Sequence, residues 1–329
     1  MVATSRGAGT PTPLATVRKA VRRALDERPG RVLVACSGGA DSLALAAATA
    51  LEAAQAGVLA GAIVVDHQLF AESGRVAAHA AAQVTELGLH PVIVQTVVVE
   101  DSGDGLEMAA RTARYAAFNE VAAANQAHAV LLAHTREDQA ETVLLRLARG
   151  SGARSLAGMP IERGLIVRPL LHLSRALVRA ACDEAGLVPW DDPANGDPRF
   201  ARSRVRHELL PSVVEALGEG AVAGLARSAD LLRDDAEALD ALAAIVHSAQ
   251  PSATDLDVEV LASQPRAIRT RVLRRACLAA GCPAGSLTLD HVRSLDRLIT
   301  EWRGQGPVAL PGGALGVRIY GRLELRPAP

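Results

Sequence analysis

An apolar run, Val32-Leu33-Val34-Ala35-Cys36, stops at Ser37-Gly38-Gly39-Ala40-Asp41-Ser42, and an alanine-rich helical pattern follows at once. Two glycines let the backbone come close to an anion, and the first turn of a helix offers unpaired N–H groups with partial positive charge. Ser37 and Ser42 add hydroxyl donors, and Asp41 adds a carboxylate able to hold a divalent metal such as Mg2+ beside phosphates. This is the pattern of a strand–loop–helix phosphate site. A Walker A loop is excluded, because it needs a lysine after its last glycine and the single lysine of this chain is Lys19. A bare strand–turn–helix connection is the alternative; the complete hexapeptide in this setting favours a nucleotide site.

A second dense segment is Ala133-His134-Thr135-Arg136-Glu137-Asp138-Gln139-Ala140-Glu141-Thr142. His134 closes an apolar run, and Asp138 and Glu141, three apart in the first turns of a helix, share one face. Acids in a first turn also simply complement the helix dipole. If this helix starts at the same sheet edge as the phosphate loop, the carboxylates can bind a metal or an ammonium group, or take a proton from an amine. Arg111 and Arg114 lie about one turn apart near another helix start, where positive charge opposes the dipole. An anion is expected to compensate them: ATP phosphate, RNA, or a local acid such as Glu107.

The elements that must position these residues alternate through the first half. Strand-like runs at Val32–Cys36, Ala62–Asp66, Val92–Val99, Val130–His134 and Leu165–Leu170 are separated by helical patterns. These fall near Ser42–Gln55, Glu72–Leu87, Leu106–Asn125, Glu137–Ala148 and Ser174–Ala185. Continuous apolar strands spaced by helices predict an α/β fold, a parallel sheet with helices on both faces. Ligands of such sheets sit at the carboxyl ends of the strands. Asp66 and His67 close one strand and His134 another, so both should face the crevice that holds Ser37–Ser42.

After Gly186 the texture changes. Pro189 to Pro198 is turn-rich, Arg199 to Arg206 is basic, and Glu215 to His247 reads as helix. Val308–Leu310 and Leu315–Tyr320, around Pro311-Gly312-Gly313, read as a hairpin. The predicted organisation is a disordered tail over residues 1–15, an α/β domain over 16–212, and a smaller, mostly helical domain over 213–329.

Composition narrows the class. The formal net charge of −1 does not by itself suggest a nucleic-acid binder, but its distribution is uneven. From Arg146 to Glu208 there are eleven arginines against seven acids, and Arg266, Arg269, Arg271, Arg274 and Arg275 fall in a window without an acid. Such clusters suit phosphates, or form solvated helix faces. Cys36, Cys182, Cys277 and Cys282 show no CxxC spacing, which argues against a zinc site or a disulfide framework. With no signal-peptide pattern and no window apolar enough to span a bilayer, the chain reads as cytoplasmic.

Ser-Gly-Gly-x-Asp-Ser resembles the PP-loop of ATP pyrophosphatases, which cut ATP between its α and β phosphates. Taken in order, Ser37–Ser42, Asp66-His67, Ala110-Arg111, Arg114-Tyr115, His134 through Thr142, Arg149-Gly150-Ser151-Gly152, Arg168-Pro169-Leu170 and Asp192 through Arg206 are similar to the tRNA(Ile)-lysidine synthetase family. The likeness covers roughly residues 30–212. The chain departs from the family at Ser203, in place of an asparagine; at Ala194, in place of serine or threonine; and at Thr135, where a second histidine is common. It is also shorter than the longest members, so an additional C-terminal tRNA-binding domain is not expected.

What the resemblance implies is an ATP-dependent ligation. The 2-oxo oxygen of the wobble cytidine in a CAU-anticodon isoleucine tRNA attacks the α-phosphate, and the ε-amine of free L-lysine then displaces AMP at C2. Ser37, Gly38, Gly39, Ala40, Asp41, Ser42, Asp66, His67, Arg111 and His134 would bind ATP, with Asp41 as the Mg2+ ligand. Asp41, Asp138, Glu141 and Arg206 would be catalytic, and Asp138 and Glu141 would hold lysine. Arg114, Arg202, Arg204, Arg271, Arg274 and Arg275 would contact tRNA, and residues 213–329 would serve as the tRNA-binding or substrate domain. Trp190, Phe200 and Tyr115 are the nearest candidates for stacking on an unpaired base, although Tyr115 also suits core packing. A homodimer is compatible with all of this. Two rival readings remain: another PP-loop enzyme, where a tRNA thiolase would want a cysteine pair or cluster and an amidotransferase an ammonia-supplying domain; and a non-catalytic nucleotide-binding protein.

Overall fold

In the computed structural model the described residues are 11–26, 28, 30–68, 72–99, 106–150, 152–191 and 196–326. Most of the expected tail, the Ser151 position and the Asp192–Asn195 stretch with Ala194 therefore lie outside them. Contacts divide the chain into two compact units, 1–231 and 232–329.

The first unit runs α1 (Pro13–Asp26), β1 (Arg31–Ala35), α2 (Ala40–Ala56), β2 (Leu59–Asp66), α3 (Ser73–Glu86), β3 (Val92–Thr96), α4 (Leu106–Ala124) and β4 (Ala127–Leu131). It continues with α5 (Arg136–Ala148), α6 (Ala153–Leu156), β5 (Glu162–Arg163), β6 (Ile166–Val167), α7 (Arg175–Glu184), α8 (Ala201–Arg204) and α9 (Leu210–Leu217). One π-helical turn, Val205–Leu209, joins α8 to α9. Helix α10 (Gly220–Ser248) begins in this unit and ends in the second.

The sheet order is β3-β2-β1-β4-β6-β5, parallel except for the antiparallel edge strand β5. Strand β1 pairs with both β2 and β4, so the chain reverses its direction of growth across the sheet beside β1. That is where a crevice opens in such sheets. Alternation along β1 builds two cores. Val32 and Val34 pack with Val17 and Val21 of α1, Leu43 and Leu45 of α2, and Val178 of α7. Leu33 packs on the opposite face with Phe118 and Val121 of α4. Alanines 44, 46, 47 and 48 keep α2 slim enough for its first half to be buried. At Gly61 a side chain is impossible without movement: a Cβ would stand 2.5 Å from the Pro91 carbonyl oxygen.

The α/β expectation holds, with shifted boundaries. Helix α1 starts at Pro13, inside the segment expected to be a tail, and its amphipathic face packs through Val17, Val21 and Leu25. β4 stops at Leu131, so His134 stands in a loop beyond the strand. The expected strand Leu165–Leu170 shrinks to Ile166–Val167, followed by a turn at Pro169 and Leu170. The contact division falls at Leu231, later than the expected boundary at 212.

The second unit contains β7 (Asp255–Asp257), α11 (Val258–Ala262), α12 (Arg266–Ala279), α13 (Leu289–Thr300), β8 (Val308–Ala309), β9 (Leu315–Ile319) and β10 (Arg322–Arg326). The expected hairpin is present as the antiparallel pair β8–β9. It is part of a four-stranded sheet, β7-β10-β9-β8; β7 is too short to show a period, while the alternation Arg322-Leu323-Glu324-Leu325-Arg326 of β10 is a signal that sequence reasoning missed. Leu256, Leu273, Leu295 and Leu323 form its core.

Candidate active site

The turn from β1 into α2 is held by one hydroxyl. Ser42 Oγ donates to the Gly39 carbonyl at 2.8 Å, accepts from the Ser37 N–H at 3.2 Å, and lies 3.3 Å from Ser37 Oγ. Gly38 has φ +80°, and a Cβ there would press on Ala80 at 3.2 Å, so the loop bends where glycine alone is unstrained. Gly39 is the N-cap of α2 and makes no side-chain cap, which leaves the first-turn N–H groups of Ala40, Asp41 and Ser42 for an anion. The Gly38 carbonyl accepts from the Trp190 N–H at 3.0 Å, tying the loop to the segment after α7.

Asp41, in the first turn of α2, lies near Arg175, which also pairs with the carboxylates of the second segment. Its Oδ2 lies 3.8 Å from Arg175 Nε, while Oδ1 is buried with no partner among the described residues. Burial, then the nearby Asp138 charge, push its carboxyl up to about 6 against the pull of Arg175. A partly buried carboxylate with one buried, unpartnered oxygen suits a cation.

Asp138 and Glu141 meet as their spacing implied, and three arginines close over them. Asp138 Oδ1 accepts from Arg175 Nη2 at 3.0 Å, Arg202 Nη2 at 3.0 Å and Arg206 Nη2 at 2.9 Å. Glu141 accepts from Arg175 Nη2 at 3.0 Å, Arg202 Nε at 3.0 Å and Arg206 Nε at 2.8 Å. Asp138 Oδ2 takes the Thr135 N–H at 2.7 Å and the Thr135 hydroxyl at 2.9 Å, in a capping box that starts α5. Thr135 therefore fills its unusual place as a buried cap. Burial alone would raise the Asp138 carboxyl, but Arg202 and Arg175 outweigh it and hold it well below the usual carboxylate range. Such a carboxylate is a weak proton acceptor, and geometry gives this pair a positioning role more readily than a basic one.

Arg202 and Arg206 reach the same carboxylates from α8 and the π turn, a kind of irregularity that recurs at functional sites. Arg204, between them, turns outward to the Pro198 and Arg199 carbonyls at 2.6 and 3.0 Å. Of the two arginines expected to face tRNA from this stretch, Arg202 is thus committed to the carboxylates and Arg204 is exposed.

His134 is neutral: burial, with Arg202, Arg168 and Arg111 nearby, pushes it down to about 3 despite Asp138. Its Nδ1 is buried without a partner among the described residues. Asp66 Oδ1 caps the Gln68 N–H at 3.0 Å, and burial and the Arg114 charge lower the adjacent His67. Arg111 lies over the Tyr115 ring, 4.7 Å from its centroid. Trp190 and Phe200 are each half-buried.

In the second unit the expected basic window is largely spoken for. Arg269 is buried on Asp296, Arg271 pairs with Asp240 at 3.0 Å, and Arg274 donates to the Leu287 carbonyl at 2.9 Å. Arg266 and Arg275 are exposed.

Sequence reasoning missed Arg175, which touches Asp41, Asp138 and Glu141 at once. A signal existed: it directly follows the helix-capping Ser174, and a cation there opposes the helix dipole just as Arg111 does. Arg168, seen as a motif residue only, is 4% exposed and donates to the Pro160 carbonyl at 2.9 Å and the Tyr115 hydroxyl at 3.3 Å.

Comparison with known proteins agrees with this geometry. A PP-loop domain model matches residues 13–213, and a TilS substrate binding domain model matches residues 256–323. The tRNA(Ile)-lysidine synthase of Thermobifida fusca is 56% identical over 321 residues, covering 96% of this chain and 98% of that one. The enzyme of the same name from Streptomyces coelicolor is 50% identical, covering 93% of this chain and 89% of its own. A solved structure, the U34-tRNA thiolase NcsA from Methanococcus maripaludis with its [4Fe-4S] cluster, superposes with a TM-score of 0.56 at 17% identity. It covers 71% of this chain and 89% of that one, a likeness of fold.

Proposed function

The chain belongs to the tRNA(Ile)-lysidine synthase family, and on that premise we propose that it uses ATP to join free lysine to C2 of the wobble cytidine of CAU-anticodon isoleucine tRNA. An adenylated cytidine is the intermediate, and lysidine, AMP and pyrophosphate are the products. The observation that carries this reading is the junction of two sites. The phosphate loop and the arginine–carboxylate network lie at one sheet edge, joined where Arg175 stands 3.8 Å from Asp41 and 3.0 Å from Asp138.

The roles follow from the contacts. Ser42 fixes the loop so that the backbone N–H groups of Gly38 through Ser42 converge on the ATP phosphates. Arg111 meets a phosphate oxygen, and Asp66 and His67 border the nucleotide. Asp41 would hold Mg2+, and its unpartnered Oδ1 and raised carboxyl fit that duty. Bound there, the ion would offset charge on the departing pyrophosphate. Since magnesium is usually held by one or two carboxylates together with phosphate oxygens, one protein ligand suffices.

Asp138 and Glu141 set the positions of Arg175, Arg202 and Arg206. The network holds three positive charges against two negative ones, so it suits the carboxylate of lysine or a phosphate rather than the lysine ammonium. Arg114, Arg204, Arg266 and Arg275 remain as the candidates for tRNA phosphates. Among the described residues no single helix is long and apolar enough to cross a membrane, and a cytoplasmic location belongs to the same proposal.

The test is lysine incorporation. Purified protein is incubated with ATP, Mg2+, radiolabelled lysine and CAU-anticodon isoleucine tRNA, with Asp41→Ala as control. Label entering the tRNA with the parent protein and not with the variant supports the reading. ATP cleaved to AMP without label in the tRNA would redirect it to another acceptor.

A further inference from the structure

Two guanidinium groups share one phenol. Arg111 Nη2 donates to the Tyr115 hydroxyl oxygen at 3.1 Å, and Arg168 Nη2, from 53 residues further along the chain, donates to the same oxygen at 3.3 Å. The Arg111 guanidinium also lies over the Tyr115 ring, 4.7 Å from its centroid. The ring is itself fixed by Phe118, with centroids 5.7 Å apart. Arg168 is almost fully buried, and its Nε has no hydrogen-bond partner among the described residues.

A phenol oxygen has two lone pairs and one proton. With both lone pairs taken by cations, the O–H is left as a donor, and two positive charges polarise it. Among the described residues neither Arg111 nor Arg168 forms an ion pair with a carboxylate. Cations gathered in a partly buried place without a counter-charge mark a site for an anion. The place is the functional edge of the sheet: Arg168 directly follows β6, which pairs with β4, the strand leading to His134. His134 senses the charges of both arginines.

We propose that Arg111, Tyr115 and Arg168 form one preassembled receptor for a phosphate group, in which Tyr115 fixes both guanidiniums and donates its own hydroxyl proton to the anion. This rests on the reading of the chain as an enzyme that uses ATP and tRNA. Spacing in the sequence singled out Arg111 with Arg114, and Tyr115 and Arg168 stood only as motif residues; the structure joins Arg111, Tyr115 and Arg168. Two sources can supply the phosphate, the ATP chain and a tRNA backbone position, and binding measurements separate them.

Tyr115→Phe keeps the ring beneath Arg111 and removes the hydroxyl; Arg168→Lys keeps a charge and removes the fork. Binding of ATP without tRNA, and of tRNA without ATP, is measured for both variants beside thermal melting. Each variant is expected to lose affinity about tenfold, the size of one hydrogen bond to a charged group. A loss confined to ATP assigns the receptor to the nucleotide, and one confined to tRNA assigns it to the RNA backbone. Unchanged affinity for both ligands in Tyr115→Phe overturns the proposal, whether or not its melting temperature falls. If Arg168→Lys fails to fold, Tyr115→Phe alone decides. A parent protein that binds ATP and tRNA yet makes no lysidine would sink the enzyme assignment and leave the receptor standing.

Discussion

Arg175 stands between two carboxylates that belong to different motifs, its Nε 3.8 Å from Asp41 and its Nη2 3.0 Å from Asp138. The phosphate loop and the α5 network are thereby coupled through one planar, always-charged group. A move of Arg175 toward either partner changes the charge felt by the other.

Replacing Arg175 should disturb both motifs at once. Arg175→Ala is expected to slow adenylation by on the order of 10²-fold, as for loss of a preorganised charge in a site. It should also cost about 1–3 kcal/mol of stability, since Arg202 and Arg206 still cover the carboxylates. Arg175→Lys should fall between, because an ammonium cannot reach two partners in a plane. Rates of pyrophosphate release, measured beside urea unfolding, check both effects; a variant with parental rates would show that the bridge is passive.

Stability of the nucleotide-free protein should depend on the Asp41 carboxyl. Its value is raised from 3.8 to about 6, so the folded state holds this proton more tightly than the unfolded one. The group is neutral in its effect below pH 3.8, and its penalty grows through the interval and is complete above about pH 6. Asp41→Asn should therefore raise the urea midpoint at pH 8 and have little effect at pH 4. An equal shift at both pH values would remove Asp41 as the source.

Two glycines should separate folding from function. Gly61→Ala places a Cβ 2.5 Å from the Pro91 carbonyl oxygen inside the sheet and should destabilise by about 1–3 kcal/mol, with the KM for ATP unchanged in the folded fraction. Gly38→Ala, at φ +80°, should cost about 1–2 kcal/mol and also raise the KM for ATP, because the strained turn carries the phosphate-binding N–H groups. Equal KM effects in the two variants would show that Gly38 does no more than hold the fold.

In the second unit, exposed Arg275 and buried Arg269 sit on the same helix with opposite expectations. Arg275→Ala should weaken tRNA binding and lower the slope of log affinity against log salt by about 0.9, one phosphate contact. Arg269→Ala should instead destabilise the unit by about 3 kcal/mol, by stranding the buried Asp296. Filter binding across a salt series, with circular dichroism melting, distinguishes them. An unchanged salt slope for Arg275→Ala would take that residue out of the RNA contact.

The sheet and the phosphate loop were legible because each depends on neighbours in sequence. Val32–Cys36 followed by Ser37–Ser42 fixes a strand, a turn and a helix start within a dozen residues, and the structure keeps all three. β7 and β5 were not legible: three residues and two residues are too few to show a period, and they exist because a partner strand pairs with them. Asp138 and Glu141 were found from their spacing, but not their environment. Three arginines 34 to 68 positions away saturate the pair and lower the proton affinity of Asp138.

By itself the sequence determined the α/β class, the loop that cradles phosphates and the family resemblance, since these rest on local period, turn chemistry and contiguous motifs. Tertiary structure alone decided what each charge does. Arg202 became a carboxylate partner while Arg204 stayed exposed, Arg175 became the link between two motifs, and Tyr115 became the shared acceptor of Arg111 and Arg168. The physical reason is that a charged group's role is set by burial and by the charges around it, and the chain brings those from distant positions only when it folds.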